Sequence, residues 1–170
     1  MDAARTPIPF SAAQNFSHGS FGQGVQMNES QSDIAPDIAR GVSRLLLDMG
    51  YSPLCELTIN TGRRIDVVGL NKAGEIIFVE IKSGLPDFRA DEKWPEYLDY
   101  CDRFYFAVME NFPVEVIPNE VGLIIGDRYG GAIVRDAPEQ PAHGSRRHSV
   151  LLRFARTAAK RLIGTEEYEI

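Results

Sequence analysis

Three ionisable side chains stand inside the most apolar part of the chain. In IDVVGLNKAGEIIFVEIKSG, residues 65–84, Asp66 interrupts one run of Ile, Val and Leu, and Glu80 and Lys82 interrupt the next. The runs are short, rich in β-branched residues and joined by NKAG, which reads as a hairpin. Asn at the first and Gly at the last position of a type I turn, with the Gly left-handed, makes a common three-residue loop. That loop sets Asn71 against Glu75, and the same register sets Asp66 against Glu80 and Arg64 against Lys82. Directly opposed residues bring their Cβ atoms to about 4.5–5.5 Å. Two carboxylates so placed repel unless a cation or a shared proton lies between them.

The pair therefore suits a hard divalent cation. Asp66 and Glu80, with the carbonyl of Ile81, offer the oxygen ligands that Mg²⁺ or Mn²⁺ takes, and Glu56, one strand earlier, offers a further carboxylate. Lys82, on the same face as Glu80, can orient or deprotonate a water, or steady charge developing on a phosphate. The plainer reading is a surface lattice of ion pairs, Arg64 with Glu80 and Asp66 with Lys82, each contributing about 0.2–1 kcal/mol.

These residues need a sheet with one face in the core, and alternation assigns that face to Ile65, Val67, Ile77, Val79 and Ile81. Ile34, Ile38, Val42, Leu45, Leu46 and Met49 recur at helical spacing, with Asp33 as the predicted N-cap and Gly50 as the stop. Three strands follow, SPLCELTIN, RRIDVVGL and EIIFVEIKS. A helix is predicted from Asp91, with Trp94, Tyr97, Leu98 and Cys101 on one face and Pro95 in its first turn, before the strand in DRFYFAVM. VGLIIGD and GAIVRDA form a second hairpin, and residues 145–162 a final helix. This order predicts an α/β (α+β) fold, a central mixed sheet flanked by helices in three layers.

Residues 1–32, rich in Ser, Gln, Asn and Gly, read as a flexible tail. Residues 33–164 form a single domain, and 165–170 are an acidic end. The 170 residues are 44% hydrophobic and 25% charged, with no apolar run of membrane-spanning length and no secretory signal pattern, so a cytoplasmic protein without a membrane partner is expected. Cys55 and Cys101 stand apart from any CxxC or Cys/His grouping, which argues against zinc and against a disulfide framework. Residues 1–142 carry a net charge of −9, yet HGSRRHSVLLRFARTAAKRL, residues 143–162, has six basic residues and no acid. That segment is either a solvated helix face or the one place where a phosphate backbone is electrostatically welcome.

The order of helix, meander, Asp66 and Glu80-x-Lys82, then helix and strand, resembles the PD-(D/E)XK nuclease superfamily. The string GRRIDVVGLNKAGEIIFVEIKSGLPDFRADEKWPEYLDYCDRFYFAV resembles more narrowly the MmcB family of bacterial DNA repair proteins, from about Ile34 to the ARTAAKRL segment. The resemblance implies a restriction-endonuclease-like three-layer core and a metal-dependent DNA nuclease. In it Asp66 and Glu80 hold the metal, Lys82 assists the attacking water, and DNA and other repair proteins are the partners. Ile65 stands where the superfamily motif has its leading Pro, and Lys93 where some relatives carry a Gln four residues before a Tyr, here Tyr97.

Lys93 and Tyr97, at i and i+4 of a helix, share a face and can reach phosphate. Trp94 can stack on a base or fill the core, and Arg63, Arg64 and Arg89 can bind phosphates or pair with nearby acids. His143 and His148 lack partners at ligand spacing and read as solvent-exposed. A non-catalytic DNA- or partner-binding module on a nuclease fold is the alternative function.

Overall fold

The apolar spacing after residue 30 is realised as a helix, α1, over Gln31–Asp48, in the computed structural model, which describes residues 31–166 other than Glu92. Ile38, Val42 and Leu46 are its fully buried stripe. Asp33 lies inside this helix instead of capping it, and Gln31 and Ser32 belong to it too; the rest of the expected tail lies outside the described residues. Gly50, at φ 85°, turns the chain out of the helix, and Met49 is left 40% exposed.

The meander follows as β1, Tyr51–Thr58, β2, Arg64–Asn71, and β3, Ile76–Ile81. Next come a short helix α2, Leu85–Ala90, a 3-10 helix, Trp94–Tyr100, and strands β4, Arg103–Val108, β5, Gly122–Gly126, and β6, Gly131–Arg135. The last element is α3, Gly144–Glu166; of the acidic end, residues 167–170 lie outside the described residues. The six strands lie in sequence order, with β1–β2, β2–β3 and β5–β6 antiparallel and β3–β4 and β4–β5 parallel. One apolar layer joins α1 to Val67, Ile77, Val79, Ile81 and Tyr105. The other joins Val150 of α3 and Tyr97 of the 3-10 helix to Phe78, Phe104 and Phe106. This is the mixed three-layer sheet expected, matching a restriction-endonuclease-like core. Among the described residues no helix is long and apolar enough to cross a membrane.

The single helix predicted from Asp91 is not formed. Leu85–Ala90 is its own short α-helix, Asp91 follows as that helix's C-cap, and Trp94–Tyr100 winds as 3-10. Two prolines, Pro86 and Pro95, each sit at the first turn of one segment, where a missing N–H costs little, and so punctuate the stretch into two starts. Gly41 lets α1 approach the β5–β6 turn closely: a Cβ there would stand 1.9 Å from the Asp127 carbonyl oxygen.

Asp102, 5% exposed, ties the two halves of the sheet together just before β4. Its carboxylate accepts the N–H of Ile76 at 2.7 Å and of Ala142 at 3.0 Å, and the Arg147 guanidinium of α3 reaches both of its oxygens. Burial works against the charge, but Arg147 and the two N–H groups outweigh it and hold the carboxyl below its usual range. Asp102→Ala strands those donors and is expected to cost about 3 kcal/mol, read by urea unfolding. Because the folded-state pKa is depressed, this stability is complete above the unfolded value of about 3.9 and is lost as pH falls through the folded one. Acid unfolding of Asp102→Asn should therefore be shallower below about pH 4 than that of wild type; identical slopes would refute the role.

Candidate active site

The NKAG turn forms as its residue types dictate. Gly74 N–H bonds to the Asn71 carbonyl at 3.0 Å, Gly74 sits at φ 81°, and Asn71 Oδ1 accepts the N–H groups of Ala73 and Glu75 at 2.9 and 3.0 Å. The resulting register pairs Val67 with Val79 and Leu70 with Ile76, as the loop length requires.

The ladder then stops. Beyond Val67 and Val79, the Asp66 carboxylate takes the next strand's N–H itself, Ile81 to Oδ2 at 2.8 Å. On the other side the β1–β2 pairing runs from Tyr51–Asn71 to Thr58–Arg64 but skips the position where Glu56 faces Asp66. Glu56 has φ 53°, a left-handed conformation uncommon and strained for a residue with a Cβ. Side chains change face here: Leu54 and Leu57, three apart, both pack on the α3 side, as do Val68 and Ile65. The expected face of Ile65, Val67, Ile77, Val79 and Ile81 is thus buried and apolar throughout, but Ile65 belongs to the opposite layer.

Glu80 and Lys82 are 8% and 4% exposed. Lys82 Nζ lies 2.6 Å from Asp91 Oδ2, 3.5 Å from Glu80 Oε1 and 5.9 Å from the Phe106 ring centre. Glu80 Oε2 has no hydrogen-bond partner among the described residues. Burial, then the Asp66 charge, pushes the Glu80 carboxyl up to about 8. Burial also raises Asp66, against the pull of the Ile81 N–H and Lys82. For Lys82, burial opposes the charge, but the Asp91 hydrogen bond and the charges of Glu80 and Asp91 outweigh it and hold the ammonium above its usual range. Lys82 is therefore held as a charged ammonium between Asp91 and Glu80 in this arrangement.

Asp91 was not legible as a site residue. It reads in sequence as a helix start, and its Oδ1 does accept the Lys93 N–H at 3.0 Å, while Oδ2 reaches back to Lys82. Only the fold brings the two together.

The remaining expected residues divide. Arg63, half-buried, is engaged by Glu96 through two bonds of 2.8 and 2.7 Å, and Arg64, exposed, lies 3.5 Å from the exposed Glu56. Arg89 is exposed and has no partner among the described residues. Trp94 is half-buried and stacks on Phe104 at 5.9 Å, with Phe106 at 5.8 Å, so its ring fills the core. Lys93 and Tyr97 do not share a face, because a 3-10 helix repeats every three residues: Lys93 is exposed and Tyr97 buried. Tyr97 is nonetheless part of the site's surroundings, for burial and the charges of Glu80 and Asp91 raise its hydroxyl to about 12. His143 and His148 are exposed as expected.

Next to the carboxylates, a hollow of about 640 Å³ opens between α1 and the start of β2, lined by Glu56, Arg64, Asp66, Ile81, Arg40 and Arg44. The two α1 arginines, at i and i+4, were available to sequence reasoning. Arg40 pairs with Asp37 at 2.7 Å, and Arg44 donates to the carbonyls of Arg128 and Tyr129.

Two hard carboxylates, one with a free buried oxygen, could hold a divalent cation. No group of three or more His, Cys, Asp or Glu side chains among the described residues is arranged for a metal, so the other ligands would be a backbone carbonyl, water or phosphate oxygen. Replacing an acid whose ionisation burial disfavours should help the metal-free protein: Glu80→Gln is expected to melt about 2–4 °C higher than wild type at neutral pH in EDTA. Mn²⁺ should raise the melting point of wild type but not of Glu80→Gln. A lower melting point for the variant in EDTA would show that Glu80 is already well paired.

A family model described as DNA repair protein MmcB-like matches residues 23–169. The solved structure of a protein of unknown function from Silicibacter pomeroyi is similar, with a TM-score of 0.76 and 44% identity over 79% of this chain and 92% of that one. No curated protein matches the chain.

Proposed function

The chain belongs to the MmcB-like family of DNA repair proteins, and from that premise we propose that it is a divalent-metal-dependent nuclease of the PD-(D/E)XK kind, acting on DNA in the cytoplasm. The observation that carries this reading is the buried, partnerless oxygen of Glu80 beside Asp66 and Lys82. A stranded carboxylate costs about 1–3 kcal/mol or more, and a pair of perturbed acids of which one, Asp66, lines a hollow is a mark of a functional site.

Asp66 and Glu80, with the Ile81 carbonyl, are the residues that would hold Mg²⁺ or Mn²⁺; Glu56 lies across from Asp66 at the rim, turned to Arg64. Such an ion supplies positive charge against phosphoryl oxygens and acidifies a bound water. The Ile81 N–H fixes one Asp66 oxygen, so the other stays aimed away from the ladder. Lys82, kept protonated between Asp91 and Glu80, donates hydrogen bonds to a water or to a phosphate oxygen and offsets its growing charge. Arg40, Arg44 and Arg64 on the hollow's wall favour the entry of a phosphodiester.

The test is cleavage of single-stranded, duplex and branched DNA with Mg²⁺ or Mn²⁺. Asp66→Ala, Glu80→Gln and Lys82→Ala are each expected to lower the rate by about 10²-fold or more. Equal rates in wild type and all three variants would identify a contaminant and refute the proposal.

A further inference from the structure

The charge segregation of the sequence becomes a surface in α3. Its N-terminal arginines are engaged: Arg146 pairs with Asp99 at 2.6 Å and lies over the Tyr100 ring, and Arg147 pairs with Asp102. Further along, Ser149, Leu152, Arg153, Arg156, Thr157 and Lys160 recur at intervals of three and four and line one groove of about 350 Å³, with Asn60 of the β1–β2 loop as its other wall. Arg153 is held in place by the Asn60 side-chain oxygen. Arg156 and Lys160 are exposed, and no acid pairs with either among the described residues.

We propose that this stripe of α3 binds the phosphodiester backbone of DNA. Three basic side chains on one face, flanked by the hydroxyls of Ser149 and Thr157 and the amide of Asn60, are the groups that contact phosphate oxygens without reading sequence. From Ser149 to Lys160 the helix rises about 16 Å at 1.5 Å per residue, which spans about five nucleotides at 3.4 Å each. The chain is otherwise acidic, with a net charge of −9 over residues 1–142, so a polyanion gains attraction chiefly here. The stripe also leads toward the candidate active site. Arg153 lies against Asn60 and Thr58, and Arg161 donates to the carbonyls of Cys55 and Glu56, the latter across from Asp66. A strand laid along α3 thus runs beside β1 toward the carboxylates. This inference rests on the reading of DNA as the substrate, but not on the metal chemistry.

The experiment is fluorescence anisotropy of the full chain with labelled duplex and single-stranded oligonucleotides, in EDTA, over a series of salt concentrations. Arg156→Ala/Lys160→Ala is compared with wild type and with Lys72→Ala, an exposed basic residue in the β2–β3 turn. The double variant should melt like wild type, bind about tenfold more weakly, and lose about 2 from the slope of log affinity against log salt, while Lys72→Ala should change neither. Affinity within twofold of wild type with an unchanged slope would overturn the proposal, as would wild-type protein that binds neither oligonucleotide; the stripe would then belong to an acidic protein partner. Intact binding in EDTA without metal-dependent cleavage would sink the nuclease reading alone. Metal-dependent cleavage with unchanged binding in the double variant would sink this one alone.

Discussion

The carboxylate of Asp102 is shared among three elements that meet at one end of the sheet. It holds the first residue of β3 through the Ile76 N–H, the start of the final helix segment through the Ala142 N–H, and α3 itself through Arg147, which also donates to the Gly74 carbonyl at 2.6 Å. Its own backbone bonds to the Ile76 and Gln140 main chains. The tight β2–β3 turn, the change from antiparallel to parallel pairing and the docking of α3 therefore converge on one buried anion. Buried charge is tolerated there because every oxygen is paired with good geometry. With one end of the hairpin clamped, the register at the other end is not free to slip.

That other end is where the structure departs from regularity. Glu56 adopts a left-handed conformation, the ladders on both sides of Asp66 open, and Glu80 buries an oxygen without a partner. A sheet under no demand but stability would place apolar residues there and keep its pairing. Strain, an opened ladder and a stranded carboxylate in neighbouring strands are instead what a site needs if its carboxylates are to face an incoming cation and phosphate. The surrounding rigidity comes from β3, all six of whose residues are buried, and from the aromatic cluster of Phe104, Phe106, Trp94 and Phe88 behind Lys82. Trp94 packs behind the site against Phe104 and Phe106.

How far the site could be read in advance depended on the range of the interactions involved. Asp66, Glu80 and Lys82 were legible because a hairpin is a local object: the loop length fixes which residues oppose one another, and Asn71 and Gly74 fix the loop length. The stretch from Leu85 to Tyr100 was less legible, since two prolines and a short apolar pattern suit a 3-10 turn as well as an α-helix. The error carried through to the site, because a three-residue repeat separates Lys93 from Tyr97 and sends only the latter inward. Asp91 was hidden for a different reason: its partner Lys82 is reached across a turn and a helix, a contact with no periodic signature. The family resemblance supplied the nuclease and repair context that spacing alone did not.

By itself the sequence determined the order of the strands and of the first and last helices, the hairpin register that brings Asp66 toward Glu80, and the segregation of positive charge into residues 143–162, all of which follow from local turn chemistry, periodicity and composition. Tertiary structure alone decided the rest. It turned Ile65 to the opposite layer through the irregularity at Glu56, gave Lys82 to Asp91, spent Arg63 on Glu96 and Arg147 on Asp102, and left Arg156 and Lys160 exposed. The physical reason is that a charge takes whatever partner the packed chain brings within hydrogen-bonding reach, and that choice is made between elements far apart in sequence.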